Sequence, residues 1–133
     1  MLRIMCAFQT EEIFDFVKSA FKNLECELIK ASSEALALFL AQKNFPCLVV
    51  SELEPESGWG MNILSELKAE SELAHIPLVF IARRPAGMTV PELAVPQGAE
   101  MLIWYPVESY EFLSSVRKYL REMKDERPLE TPE

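Results

Sequence analysis

Residues 47–60 read CLVVSELEPESGWG: an unbroken apolar run, a serine, and then a stretch from Glu52 onward with one proline, two glycines and three glutamates. A short apolar run without polar alternation belongs to a strand covered on both faces, and a turn-rich exit marks where that strand ends. The run therefore reads as the middle strand of a parallel sheet. Glu52 stands at its carboxyl end.

Upstream, residues 2–7 (LRIMCA) read as a first strand, and Thr10 follows at an N-cap position with Glu11 and Glu12 at the positive end of a helix. Ile13, Val17, Ala20 and Leu24 recur at helical steps, with Phe14, Phe16 and Phe21 widening the stripe. Residues 26–29 return to strand character. Ser32 or Ser33 then caps a second helix, whose apolar side is read as Leu36, Phe39 and Leu40, and Pro46 stops it. Downstream, a third helix runs through Ile63, Leu64 and Leu67, and residues 76–82 (IPLVFIA) form a fourth strand entered at Pro77 and left at Arg83 and Arg84. Pro91 and Pro96 lie within residues 85–97, so a fourth helix there is expected to be short or irregular. Residues 101–104 (MLIW) make a fifth strand. The last helix is expected over 107–123, with Phe112, Leu113, Val116, Tyr119, Leu120 and Met123 on its apolar side.

Strands alternating with helices predict an α/β fold, the flavodoxin-like doubly wound (βα)5 three-layer sandwich with strand order 2-1-3-4-5. The domain spans 1–124, and the polar, proline-containing residues 125–133 are a tail or linker.

A net charge of −8 opposes binding to nucleic acid and to anionic membrane surfaces, both of which reward a basic face. No apolar run approaches the roughly 20 residues of a membrane span, and a cytoplasmic protein is expected. Cys6, Cys26 and Cys47 show no C-x-x-C spacing and read as buried, reduced thiols, and His75 is alone, so neither metal nor other cofactor is expected.

Three stretches are similar to the receiver domains of bacterial response regulators, and the likeness extends to about Met123. Residues 48–53 (LVVSEL) resemble the third receiver strand, which ends in the phosphate-accepting aspartate, and Gly60 has the spacing of the glycine that opens the third receiver helix. Residues 76–82 resemble the fourth strand. Residues 98–107 (GAEMLIWYPV) resemble the segment that begins Gly-Ala-Asp and ends Lys-Pro-Phe.

Each position that does receiver chemistry departs from the pattern. Phe8 and Gln9 stand at the magnesium-binding acidic pair, Glu52 at the phosphoacceptor, Ala82 at the switch hydroxyl and Tyr105 at the lysine. Leu102 falls at the aromatic switch position, and Pro55 lies one residue earlier than the receivers' proline. A hard dication wants anionic oxygen ligands, and phosphoryl transfer depends on positioning and charge neutralisation, so the resemblance implies a receiver-like domain that is not phosphorylated and is not an enzyme.

Two readings of Glu52 stand: an imitation of phosphoaspartate, or a carboxylate that is solvated or paired with Arg83 or Arg84. The two arginines could also receive an anion, although two adjacent arginines in a loop are more often simply solvated charges. Trp104 should point outward if Ile103 points inward, as a partner-facing anchor, or else pack beneath residues 88–93. Trp59 is a second aromatic candidate. The expected partner is another protein of a signalling or regulatory assembly, met by a surface of Leu102, Trp104, Glu108, Glu111 and Lys118, and a homodimer is left open. The alternative is a small-ligand sensor in the vacated pocket, lined by Phe8, Gln9, Tyr105 and the arginines. A conventional phosphorylated receiver would require four substitutions to be tolerated at once.

Overall fold

The computed structural model describes residues 2–84 and 95–126. The strands are β1 Leu2–Ala7, β2 Cys26–Ala31, β3 Leu48–Glu52, β4 Leu78–Arg83 and β5 Met101–Tyr105. The helices are α1 Glu11–Ala20, α2 Glu34–Asn44, α3 Met61–Ala69 and α4 Ser109–Glu126. All strand pairs are parallel, in the order β2-β1-β3-β4-β5, as expected from the sequence. Every residue of β3 is buried, which is the property its unbroken apolar run required.

Side chains alternate across the sheet and divide the core in two. Ile4, Cys6, Phe8, Val50 and Ile81 face Ile13 and Val17 of α1, Phe21 just beyond it, and Phe112, Val116 and Leu120 of α4. Met5, Ala7, Val49 and Phe80 face Ala37 and Ala41 of α2 and Ile63 and Leu67 of α3. Burial pushes the Cys6 thiol up to about 12, with the nearby Cys26 adding to the shift, so it stays protonated and inert.

The last helix runs to Glu126, beyond the expected end at 123 and past the domain boundary at 124. The rest of the expected tail, the short helix within 85–97 (apart from 95–97) and the packing of Trp104 under 88–93 lie outside the described residues.

The second helix corrects the sequence reading. Ala37 and Ala41 face inward, whereas Leu36 and Phe39 are exposed and Leu40 is half-buried. Residues 35–41 (ALALFLA) are apolar all round, so periodicity could not select the buried side. Ser33 is the cap, accepting a hydrogen bond from the Leu36 amide. The helix closes on Phe45, which has φ 47° and ψ 65° and donates its amide to the Ala41 carbonyl. This left-handed conformation favours glycine, and the Phe45 side chain is 55% exposed and has little packing to lose. Phe45→Gly should therefore stabilise the fold by about 1 kcal/mol, seen as a higher urea midpoint at unchanged slope. An unchanged or lower midpoint would mean that contacts of the ring outweigh the backbone strain.

Candidate functional site

The carboxyl edge of the sheet, where β1, β3, β4 and β5 end, gathers most of the residues singled out above. Glu52 closes β3 and is one of two buried polar residues among those described, the other being Ser51. Its carboxylate is turned toward the start of α1. Oε1 accepts hydrogen bonds from the backbone amides of Gln9 and Thr10, both at 2.9 Å, and Oε2 accepts one from Thr10 Oγ1 at 2.7 Å. An acidic group fits there because the first amides of a helix lack intrahelical acceptors and carry partial positive charge.

Two sequence expectations are corrected by this contact. Glu52 is neither solvated nor paired with an arginine. Thr10 occupies the extended N-cap position but does not cap α1 with its own side chain, and its hydroxyl is turned to donate to Glu52 instead.

Gly60 holds the loop beyond β3 against the strand. It has φ 106°, and a Cβ there would collide with the Glu52 carbonyl and press on the Phe80 ring at 3.1 Å and Ser51 Oγ at 3.2 Å. Glu34 of α2 accepts its amide at 2.8 Å and that of Asn62 at 3.2 Å, so a second carboxylate caps the start of α3. Trp59 is half-buried against the α2/α3 side of the core.

Phe8 points into the core, 2% exposed, with its ring 6.0 Å from that of Phe14. Gln9 is exposed. These two leave only a recess of about 60 Å³ with Thr10, Glu11, Phe14, Lys30 and Ser32. Tyr105 and the arginines do not line it.

Arg83 and Tyr105 meet Glu12 instead, a residue the sequence reading had assigned only to the helix end. Arg83 Nη2 lies 3.0 Å from Glu12 Oε1, and the Tyr105 hydroxyl donates to Oε2 at 3.1 Å. The guanidinium carbon lies 5.5 Å from the Tyr105 ring centroid, and the Phe16 ring meets Tyr105 edge-on at 5.4 Å. Arg84 is exposed and donates its amide to the Tyr105 carbonyl at 2.6 Å. Ala82 is buried beside Trp104 on β5. Ile103 faces the α1/α4 side while Leu102 and Trp104 face the other, as the strand period predicts, but Trp104 is half-buried rather than presented freely. Glu108, Glu111 and Lys118 are exposed on or before α4.

The Arg83 hydrogen bond, then that of Tyr105, holds Glu12 below the usual carboxylate range. Burial, then the hydrogen bond to Glu12, raises the Tyr105 phenol above its usual range. Glu12 thus contributes stability above the ordinary carboxylate range, and that contribution is lost as pH falls through its lowered value. The Tyr105 contribution is present below the ordinary phenol range and lost as pH rises through the raised value. Glu12→Gln should bring the Tyr105 titration down toward the ordinary phenol, followed by NMR at Tyr105 Cζ; an unmoved titration would assign the shift to burial alone.

No protein-family model matches the chain. It is similar to the histidine kinase P4 of Formosa agariphila, with 28% identity over 105 residues, 79% of this chain and 8% of that protein's length. It is also similar to the polar-differentiation response regulator DivK of Brucella ovis, with 28% identity over 95 residues, 71% of this chain and 76% of DivK. The signal receiver domain of a signal transduction histidine kinase from Syntrophus aciditrophicus superimposes with a TM-score of 0.74 at 16% identity, covering 100% of this chain and 98% of that one. The chain has a receiver fold.

Within that receiver fold, the positions of the resemblance converge only in part. Phe8, Gln9, Glu52, Ala82 and Tyr105 all lie at the carboxyl edge, yet Glu52 is bound to Gln9 and Thr10, while Tyr105 is bound to Glu12 and Arg83. The magnesium ion of receivers finds a poor donor set here. Phe8 offers no oxygen, Gln9 is neutral, and the Glu52 carboxylate is already held by three donors. Among the described residues, no group of three or more His, Cys, Asp or Glu side chains is placed to hold a metal ion. No described helix is long and apolar enough to cross a membrane.

Proposed function

We propose that this chain is a receiver-like signalling module that works without phosphoryl transfer, as a protein-binding domain and not an enzyme. The observation that carries the reading is the inward-turned carboxylate of Glu52, taken by the Gln9 and Thr10 amides and the Thr10 hydroxyl. An in-line phosphoryl transfer needs its nucleophile free and its developing charge met by a metal and a cation. Glu52 is engaged, Ala82 offers no hydroxyl, and the Arg83 cation at the end of β4 is committed to Glu12. The similarity to a response regulator and to part of a histidine kinase supports a place in a signalling assembly.

Phosphate imitation by Glu52 has no reader at the switch positions. The small-ligand alternative has less support at the position it names, since the recess beside Phe8 and Gln9 is about 60 Å³, far below the ~300 Å³ of typical ligand sites, and neither Tyr105 nor the arginines line it.

Exposure to acetyl phosphate, or to beryllofluoride with magnesium, should leave the mass and the 15N–1H spectrum unchanged, and Glu52→Asp should not restore a response. A phosphoryl adduct at residue 52, or saturable shifts around Gln9 and Ala82, would overturn the reading.

A further inference from the structure

Trp104 is half-buried, and the accessible concave surface lies on the other side of the sheet. A groove of about 600 Å³ runs between α1 and the start of α4, with Phe16, Pro106 and Val107 as its apolar floor and Ser19, Glu108 and Glu111 at its sides. The floor is fixed in place. The Phe16 ring is gripped edge-on by Tyr105 at 5.4 Å and Phe112 at 5.6 Å, and Tyr105 is itself tied to Glu12 and through it to Arg83. A rigid aromatic floor costs little entropy when a partner settles on it.

The rim is acidic. Glu108 and Glu111 border the groove from the α4 side, and Glu12 and Asp15 are exposed on α1, four and one residues before Phe16. Arg83, the cation that lies against the Tyr105 ring, is spent on Glu12. Lys118 lies seven residues beyond Glu111, toward the far end of α4. Tyr110, 70% exposed, stands between the two rim glutamates in sequence. The net charge of −8 adds a long-range field of the same sign.

The geometry points to this groove as the docking site for a basic amphipathic helix of a partner protein, its apolar residues on Phe16 and Val107 and its lysines or arginines against Glu108 and Glu111. A cleft between two helices accepts a third helix through anchors at i, i+3, i+4 and i+7. Charge selects that occupant: a second copy of this chain would bring acidic residues to an acidic rim. The inference rests on the protein-binding reading above and names the surface and the partner's chemistry.

The test uses the full 15N-labelled chain and two synthetic 16-residue peptides of identical composition. One places Leu and Phe at i, i+3, i+4 and i+7 with Lys and Arg on the flanks, and the other scrambles that order. The periodic peptide should shift amides of Phe16, Val107 and 108–112, and its affinity should fall at least tenfold in the double variant Glu108→Lys and Glu111→Lys. It should also weaken with added salt. The inference is overturned if both peptides bind alike, if the shifts centre on Leu36 and Phe39 of α2, if charge reversal leaves affinity unchanged, or if no shift appears. Failure of the function reading is seen separately: a response to beryllofluoride would remove that reading without touching the groove.

Discussion

A Gly60→Ala chain should lose at least ~3 kcal/mol of stability, because two penalties fall on one methyl group. At φ 106° an L side chain is strained wherever it sits, and here the Cβ would also run into the Glu52 carbonyl, with Phe80 and Ser51 behind it. Relief would require the loop after β3 to move away from the strand. That motion would pull the Gly60 amide from Glu34 and loosen the cap of α3. Gly58 is the control, since it has φ 78° with nothing near its missing Cβ, and Gly58→Asn should cost well under ~1 kcal/mol. Urea unfolding of both variants measures the difference. Equal small losses would show that the loop yields freely, and the site would not depend on Gly60.

Glu52→Ala is expected to cost about 3 kcal/mol, since it strands two amides and a hydroxyl that the wild-type carboxylate satisfies. Glu52→Gln should cost only ~1 kcal/mol: its remaining carbonyl oxygen can take both amides as Oε1 does, and the Thr10 hydroxyl can turn to accept from the new NH2 group. Hydrogen exchange gives the local readout. The Gln9 and Thr10 amides should exchange much faster in the alanine variant and near the wild-type rate in the glutamine variant. If the alanine variant is as stable and as protected as the parent, water serves the start of α1 equally well and Glu52 is not its anchor. The contrast with Gly60→Ala is useful, because one variant disturbs the carboxylate through the backbone and the other removes it.

Thr10 and Ser33 show how much of the site could be read from sequence. Both are hydroxyl residues at helix starts, and both invite the same cap. Ser33 caps α2, whereas the Thr10 hydroxyl goes to Glu52, 42 residues away in sequence. The bond to Glu52 satisfies a buried charge that would otherwise be costly to leave unpaired, and a local cap cannot compete with that. Arg83 likewise takes a distant partner, pairing with Glu12, 71 residues away in sequence, and not with Glu52. Neither pairing leaves a periodic or spacing signal, and the doublet Glu11-Glu12 has a sufficient local reason in the helix dipole. The inward face of α2 was unreadable for a different reason, because its apolar residues ring the helix and only close approach to the sheet selects Ala37 and Ala41 over Leu36 and Phe39.

The amino-acid sequence by itself determined the five strands, the central place of β3, the receiver-like order of elements and the identities at the five edge positions, since apolar runs and helical periods are local and strong. The tertiary structure alone decided where the edge side chains point: Glu52 onto the start of α1, Tyr105 and Arg83 onto Glu12, Trp104 into partial burial. Several partners lie within reach of each polar side chain, differing by about 1 kcal/mol apiece, and only the packed geometry of strands far apart in sequence settles which is taken.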